Sequence, residues 1–224
     1  METLDFYLNL YSRLQEKDNA FRGLVPRIRG LVKRIGDKHI PLYLKNAYDF
    51  KGEKTEDVIV SLTSFPARIN TVWRVVECMK RQSYKPQKIL LWLSKVQFAD
   101  ARSLPKSLTE RQDDTFELKM VDGDLRSHKK YYYAFNEYKN SAVILIDDDI
   151  YYPTDMIEKM MTAHCLNPKA VVCRYGYNMC YDQYGRIKPY RNWKAISWGG
   201  YFLTFSLGLG AELCLPRRCY TRIA

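Results

Sequence analysis

Short apolar runs at regular intervals constrain the fold of this chain more than any other feature. Four runs of five or six residues alternate with segments of helical or turn-forming character, and a shorter fifth run comes after them. The runs occupy residues 58–63, 88–93, 116–121, 142–146 and 170–173. Buried strands of this kind, joined by helical connections, are typical of parallel βαβ units. The sequence therefore predicts an α/β protein with a mostly parallel sheet and helices on both faces.

The segments between the runs support this prediction with helical periodicity. After Pro66 and Ala67, four apolar residues share one face of a helix: Val72, Val75, Val76 and Met79. A tyrosine-rich helix is expected over residues 129–138, and another begins near Thr154 and ends before Pro168.

The first 54 residues form a distinct basic segment ahead of the predicted sheet. Apolar residues recur there at helical intervals: Phe21, Leu24, Val25, Ile28, Leu31, Val32 and Ile35. Arginines and lysines lie between them, so this helix can either pack on the next domain or rest on an anionic membrane surface. Gly23, Pro26 and Gly30 predict a kink or a division into two pieces. The polar stretch KGEKTED at 51–57 marks the join, so we predict a segment over 1–54 and a domain over 55–224.

Composition narrows the classes of protein. The 224 residues are 46% hydrophobic, which excludes intrinsic disorder, and the net charge of +11 predicts an anionic partner. No apolar run reaches the length that spans a bilayer, and the acidic, aromatic start lacks a signal-peptide pattern. The six cysteines lack metal-binding spacing, and reduced thiols are expected. We expect a cytoplasmic protein, and the basic segment adds the option of a peripheral position on the inner face of the cytoplasmic membrane.

Three consecutive aspartates provide the sharpest chemical signal. Asp147, Asp148 and Asp149 come directly after an apolar run. Adjacent carboxylates at a partly buried strand end need a compensating cation, and oxygen-rich clusters without histidine suit Mg²⁺ or Mn²⁺. Because alternate side chains of an extended chain share a face, we expect Asp147 and Asp149 to point together and Asp148 to face away. The alternative is that one aspartate caps the next helix and the others are solvated.

Two other strand ends carry polar residues. The first run ends in Thr63 and Ser64, with Arg68 close behind, a pattern that suits a nucleotide but also an ordinary helix cap. The third run ends in VDGDLRSHKK, where Asp122 and Asp124 can meet a base or ribose. The cations of that loop can meet a diphosphate: Arg126, His128, Lys129 and Lys130. A plain turn around Gly123 and then a solvated helix start is the alternative.

Four motifs in this order and spacing carry a resemblance to a known family. They are VIVSLTSFPARI, ILLWLS, VDGDLRSHKKYYYA and ILIDDDIYYP. The chain resembles the bacterial nucleotide-sugar glycosyltransferases of the GT-A fold, related to family 2, which are commonly associated with capsule, lipopolysaccharide or exopolysaccharide assembly. The resemblance runs over residues 58–168 and continues more loosely to about Leu209.

The resemblance implies a nucleotide-diphosphate sugar donor, a saccharide or lipid-linked saccharide acceptor, and Mn²⁺ or Mg²⁺ bridging the aspartates and the diphosphate. It makes Asp149 the principal metal ligand and lets Asp147 contact the metal through water or the ribose. The implied donor-binding residues are Thr63, Ser64, Arg68, Asp122, Asp124, Lys129, Asp147 and Asp148. Such a metal and nearby cations would stabilise the charge that develops on the leaving diphosphate.

The last part of the chain departs from the family pattern. SLGLG at 206–210 resembles the family's glycine-rich element, but AELCLPRRCYTRIA reads as an unrelated basic tail, which suggests a truncated C-terminus. The catalytic base stays unassigned, with Glu212 and Asp182 as candidates. The tyrosines, tryptophans and cations of residues 174–198 suit a groove for a phosphorylated or polyprenyl-linked saccharide. They also suit single-stranded nucleic acid, but without an accompanying recognition motif we expect no such partner.

Two other functions compete with sugar transfer. A phosphatase of the haloacid-dehalogenase type also places an acidic pair after an apolar strand. It usually needs Thr or Val where this chain has Tyr151, and it usually places the motif at the first strand. A catalytically inactive protein that binds sugar nucleotides is the other alternative, and the short C-terminal part favours it.

Overall fold

The computed structural model describes residues 3–16, 24–46, 48, 58–98, 100–168, 171–173, 177–195 and 213–215. The helices are α1 (Thr3–Glu16), α2 (Leu24–Lys45), α3 (Trp73–Lys80), α4 (Lys106–Thr109), α5 (Lys129–Glu137) and α6 (Met156–Leu166). The strands are β1 (Val58–Thr63), β2 (Lys88–Ser94), β3 (Phe116–Val121), β4 (Ala142–Leu145), β5 (Val172–Cys173), β6 (Tyr177–Asn178), β7 (Lys194–Ala195) and β8 (Leu213–Leu215).

The main sheet has the strand order β3-β2-β1-β4-β8-β5. The first four strands in this order are parallel, whereas β8 pairs antiparallel with both β4 and β5. From β1 the chain moves outward through β2 to β3 and then returns to the other side of β1 as β4. The connections therefore leave β1 and β4 in opposite directions, which opens a crevice at the carboxyl ends of these two strands.

The strands β1, β2 and β4 are buried on both faces because they are apolar at nearly every position, whereas the edge strand β3 is half-buried along its middle. Val60 and Leu62 of β1 lie in a large core cluster with residues of α3 and α6, while Ile59 lies in a second cluster under α5. This alternation results from the two-residue repeat of a strand. Helices thus cover both faces of the sheet, as the sequence predicts, and the α/β class is confirmed.

Most predicted element boundaries are confirmed within two residues. The strands over 58–63 and 116–121 agree at both ends, whereas β4 ends at Leu145, one residue earlier than predicted. The last 14 residues, which depart from the family pattern in sequence, contribute one strand to the sheet. Leu213–Leu215 forms β8, which pairs with β4 inside the sheet. Its short apolar run LCL has no polar alternation or turn signal to mark it as a strand.

The N-terminal helices pack on the sheet domain and share its core. Leu4 of α1 and Ile40 and Leu44 of α2 belong to the large cluster. The Asp5 carboxylate accepts hydrogen bonds from the backbone amide and the hydroxyl of Thr154, at 2.9 and 2.6 Å. These contacts tie α1 to the start of α6, 149 positions away in sequence.

Of the two predicted alternatives, a kink or a division into two pieces, the division is wrong over the described residues of the segment. α2 is one helix of 22 residues that continues beyond Ile35 to Lys45. Pro26 lies in its first turn, where the missing amide proton has no helical partner to lose. Phe21 and Gly23 lie outside the described residues. Among the described helices, none combines the length and the apolar character needed to cross a membrane.

Candidate functional site

The crevice between β1 and β4 brings the first and fourth strand-end motifs together. Ser61 of β1 lies opposite Leu145 of β4, and the amide of Ile146 donates to the Ser61 carbonyl at 3.0 Å. The residues just beyond each strand therefore leave the sheet side by side. They are Ser64 to Arg68 on one side and the three aspartates on the other.

Arg68 connects these two segments. Its Nη1 lies 2.9 Å from Asp148 Oδ1 and 2.9 Å from Asp149 Oδ2. The Ser64 hydroxyl donates to the other oxygen of Asp148 at 2.6 Å. Asp148 is buried, and the arginine and serine donors offset the cost of removing its charge from water. The hydrogen bond from Arg68 to Asp148 raises the pKa of the guanidinium, which holds its positive charge in place.

Asp147 has a different cation. Lys130 Nζ lies 2.7 Å from Asp147 Oδ1 and also donates to the carbonyl of Ile146 at 3.2 Å. The backbone amide of Asp147 donates to the hydroxyl of the fully buried Tyr152 at 2.9 Å. Asp148 and Asp149 thus share Arg68, while Asp147 pairs with the start of α5. The predicted alternation does not describe this arrangement, because β4 ends at Leu145 and the aspartates lie in a bend beyond it.

The cation that pairs with Asp147 is positioned by a buried hydrogen-bond chain. The Ser61 hydroxyl donates to the carbonyl of Lys130 at 2.5 Å and accepts from Trp92 Nε1 at 2.9 Å. The Trp92 ring stacks on Tyr133, with 5.3 Å between centroids. Together these contacts fix the first turn of α5 against the sheet. Thr63 is engaged in the sheet as well, since its hydroxyl donates to the Trp92 carbonyl at 2.7 Å.

The end of β3 forms a second polar group. Lys95 Nζ lies 2.9 Å from Asp122 Oδ1, and Gln97 Nε2 lies 2.8 Å from Asp124 Oδ2. Lys129, whose side chain is 2% exposed, donates to Asp124 and lowers the pKa of that carboxyl. The lysine therefore lies under the loop as its support.

The backbone of this loop is tightly turned. Gly123 has φ of 71°, and Arg126 has φ of 51°, a left-handed conformation that costs a residue with a side chain. The Arg126 amide donates to Asp124 Oδ1 at 2.9 Å, which helps to hold this conformation. Asp124 thus organises the loop through both Lys129 and the Arg126 backbone.

The predicted site residues fall into two groups on one edge of the sheet. Ser64, Arg68 and the three aspartates lie at the β1–β4 crevice, while Asp122, Asp124 and Lys129 lie at the end of β3. The adjacent lysines Lys129 and Lys130 pair with Asp124 and Asp147, so the start of α5 joins the two groups. An elongated ligand placed across the carboxyl edge can contact both.

The first group has the chemistry of a divalent-cation site. Its carboxylate oxygens are the ligands that Mg²⁺ and Mn²⁺ prefer, and the Asp149 side chain is 47% exposed. Arg68 holds one Asp149 oxygen, so it would compete with a metal for that atom. Among the residues that the structure describes, no three acidic, histidine or cysteine side chains form a ready-made cluster for a metal ion. The donor types therefore fit a hard cation that completes its shell with ligand oxygens and water.

Sequence reasoning missed three contributors to this edge. Lys95 and Gln97 lie just beyond β2, and the rule applied to the other strands, that polar residues beyond the carboxyl end are candidates, identifies them. Tyr152 lies five positions beyond Asp147, inside the motif ILIDDDIYYP, but the sequence assigns it no role. Its role depends on the bend after β4, which local patterns do not predict.

Of the two candidates for a catalytic base, the structure describes Asp182 but not Glu212. Asp182 accepts hydrogen bonds from the amides of Tyr184 and Arg186 and pairs with the Arg186 side chain, so it organises a turn. Glu212 lies outside the described residues, as do SLGLG and the ends of the aromatic segment. The described part of that segment presents a cluster in which Tyr190 contacts Tyr177 and Trp193, with centroids 5.2 and 5.1 Å apart.

The carboxyl edge therefore combines carboxylates that can hold a hard cation with cations that can hold an anion. Such a pairing suits a ligand that brings its own negative charge together with a metal. Comparison of the chain with protein-family models and with curated proteins gives no match.

Proposed function

We propose that this protein is a metal-dependent glycosyltransferase of the GT-A type, which transfers a sugar from a nucleotide-diphosphate donor to a saccharide or lipid-linked acceptor in cell-envelope polysaccharide synthesis. The observation that carries this proposal is the position of Arg68, Asp148 and Asp149 at the crevice between β1 and β4. Ligands of open parallel sheets bind at this kind of crevice. The motif resemblance described above supports the choice of a nucleotide sugar.

The charges at the crevice support a diphosphate ligand. Arg68 pairs with Asp148 and Asp149, and Lys130 pairs with Asp147, so two cations already offset most of the charge of the three carboxylates before any ligand arrives. A diphosphate and a divalent cation add opposite charges together, and this leaves the balance nearly unchanged. In the proposed complex Asp149 holds the metal, with Asp147 in reach of it through water or in contact with the ribose. A divalent cation held by these carboxylates would supply charge stabilisation for the leaving diphosphate.

The second polar group supports the nucleoside side of the donor. Asp122 lies on an exposed loop, and Asp124 is held in place from below by Lys129. Carboxylates of this kind accept hydrogen bonds from ribose hydroxyls or base amino groups. The donor thus extends from the aspartates after β4 toward the end of β3, across the ends of β1 and β2.

The aromatic hairpin supports an acceptor side. Residues 177–195 expose Tyr181, Tyr184 and Tyr190 beside Arg186 and Lys188. Aromatic faces pack on sugar rings, and the cations can meet a phosphate on the acceptor.

The test is a thermal-shift panel of UDP-sugars and GDP-sugars, each with and without Mn²⁺, and then assays for sugar transfer and donor hydrolysis. The proposal expects a Mn²⁺-dependent rise in melting temperature with at least one donor, together with turnover. A rise without turnover would instead favour a protein that only binds sugar nucleotides.

A different pattern would overturn the proposal altogether. No response to any nucleotide, combined with phosphate release from a phosphomonoester, would identify the phosphatase alternative. Asp147→Asn also distinguishes the phosphatase from the sugar transferase. A phosphatase that uses Asp147 as its nucleophile would lose all turnover in this variant.

A further inference from the structure

The helix α2 exposes a continuous apolar stripe on the side that faces away from the core. The members recur at intervals of four, three, four and seven residues and are between 37% and 62% exposed: Leu24, Ile28, Leu31, Ile35 and Leu42. The opposite side of the same helix buries Val25, Ile40 and Leu44. The sequence pattern thus contains two apolar faces, and the fold covers only one of them.

Basic residues border this stripe along one edge. Arg27, Arg34, Lys38 and Lys45 are exposed and recur at helical intervals of seven, four and seven residues. They continue into a cavity of about 510 Å³ between α2 and the α3–α4 region. The cavity wall carries four cations and one carboxylate: Lys38, Lys45 and Asp37 from α2, and Arg74 and Arg111 from the other side, where Arg111 also pairs with Glu77. Arg74 Nε is buried there without a hydrogen-bond partner among the described residues.

The mixture of apolar and basic side chains on the exposed face of α2 indicates which kind of partner binds there. A second copy of α2 would match the apolar stripe. However, Lys38 and Lys45 follow Leu24 and Leu31 at intervals of seven residues, so in a helix pair they would lie at the contact, beside the basic edge of the other copy. A neutral apolar partner would leave the lysines and arginines without counter-charges. An anionic bilayer supplies both an apolar boundary for the stripe and phosphate groups for the basic edge.

We propose that α2 docks this exposed face on an anionic lipid bilayer, with its axis parallel to the membrane surface. A helix of 22 residues is about 33 Å long, so the stripe covers most of its length. The leucine and isoleucine side chains enter the boundary between headgroups and acyl chains. The lysines and arginines of the edge and of the cavity meet the lipid phosphates. This surface is separate from the strand-end site, so the proposal stands independently of the proposed function.

The experiment is flotation of the full chain with vesicles of phosphatidylcholine alone or mixed with phosphatidylglycerol. The wild-type protein is expected to float with the mixed vesicles and to remain behind with the neutral ones. Leu31→Glu should reduce partitioning by roughly tenfold or more, because it places a charge where the proposal inserts a leucine side chain into the bilayer. Leu166→Glu is the matched control, since Leu166 is also exposed and lies on α6. It should float like the wild type.

A second pair of variants tests the basic edge. Lys38→Glu combined with Lys45→Glu should abolish binding to the mixed vesicles, whereas Lys159→Glu on α6 should leave it unchanged. Circular dichroism confirms the fold of each variant, and Ile28→Glu replaces Leu31→Glu should that variant fail to fold.

Four results would each overturn the proposal. The first is equal binding to neutral and mixed vesicles, and the second is equal flotation of Leu31→Glu and Leu166→Glu. The third is stabilisation by inorganic phosphate that depends on Lys38 and Lys45, without any flotation. The fourth is a dimer in sedimentation that Leu31→Glu dissociates without any flotation, which would identify a second copy of the chain as the occupant.

Discussion

Arg68 on the loop after β1 donates to Asp148 after β4 at 2.9 Å, although 80 positions separate them in sequence. This contact closes the crevice between the two strands and fixes the neighbouring carboxylate of Asp149, which shares the same guanidinium nitrogen. The positions of Asp148 and Asp149 therefore depend on one cation.

Replacement of this arginine should affect both stability and binding. Arg68→Ala leaves the buried Asp148 with only the Ser64 hydroxyl, and we expect a loss of about 1–2 kcal/mol in the free energy of unfolding. The loss stays below that of a fully buried pair because the arginine side chain is 43% exposed. Urea unfolding measures it, with Arg102→Ala, at an exposed arginine, as the control. Addition of Asp148→Asn should recover part of the loss, and equal effects of Arg68→Ala and Arg102→Ala would contradict this account.

The buried hydroxyl under the aspartates gives a second prediction. Tyr152→Phe removes the acceptor of the Asp147 amide, and an unsatisfied buried amide costs about 1–3 kcal/mol. Thermal or urea unfolding should show this destabilisation. Tyr184→Phe changes a tyrosine that is largely exposed and should leave stability unchanged. Similar stability of both variants would show that Tyr152 is not a support for Asp147.

The loop after β3 should respond to acid through Asp124. The hydrogen bond from Lys129 lowers the pKa of Asp124 in the folded state. A lowered pKa contributes stability above the unfolded value of about 3.9, and that contribution is lost as the pH falls through the folded value. The stability difference between the wild type and Asp124→Asn should therefore be constant near neutral pH and shrink below about pH 4.

Lys129→Met tests the cause of this pH dependence. In the Lys129→Met background, Asp124→Asn should have a smaller effect on the free energy of unfolding. The change of that effect below about pH 4 should also be smaller. Urea unfolding at several pH values measures both changes. A difference that is independent of pH in the wild-type background would contradict the role given to Lys129.

Thiol reactivity should correlate with burial. The four cysteines whose side chains the structure describes are free, with Cys78 buried and Cys165 exposed. Burial raises the pKa of Cys78 to about 12, so its thiol stays protonated in the folded protein at pH 8. Alkylation and subsequent peptide mapping should show rapid modification of Cys165, and of Cys78 only after unfolding. Because the unfolded thiol titrates near 8.5, stability should also fall as the pH rises above that value. Rapid modification of Cys78 would show that the core under β1 opens readily.

Much of the fold can be predicted because its signals are local. The apolar runs over 58–63 and 116–121 are bounded by polar and turn-forming residues, and the helix that buries Val72, Val75 and Val76 repeats at helical spacing. β8 cannot be predicted in this way, since Leu213–Leu215 becomes a strand only through its pairing with β4 and β5. The prediction of a divided α2 is wrong because the effect of Pro26 depends on its position within the helix.

The candidate site is predictable in composition and less so in geometry. The rule that ligands bind at carboxyl strand ends identifies the residues of both polar groups. The pairing of Asp148 with Arg68, and of Asp147 with Lys130, depends on where β4 ends and how the chain bends beyond Leu145. These contacts are long-range in sequence. The predicted strand runs one residue beyond the end of β4, and the alternation of side chains expected from it assigns the wrong partners to the aspartates.

The most direct test of the proposed donor site is calorimetric titration of a nucleoside diphosphate into the protein with and without Mn²⁺. The wild type should bind only weakly without the metal and more tightly with it. Asp149→Asn should lose the Mn²⁺ dependence, while Asp37→Asn, at a similarly exposed carboxylate on α2, should retain it. Retention of full Mn²⁺-dependent binding by Asp149→Asn, or absence of binding by the wild type, would contradict the proposed metal-assisted donor site.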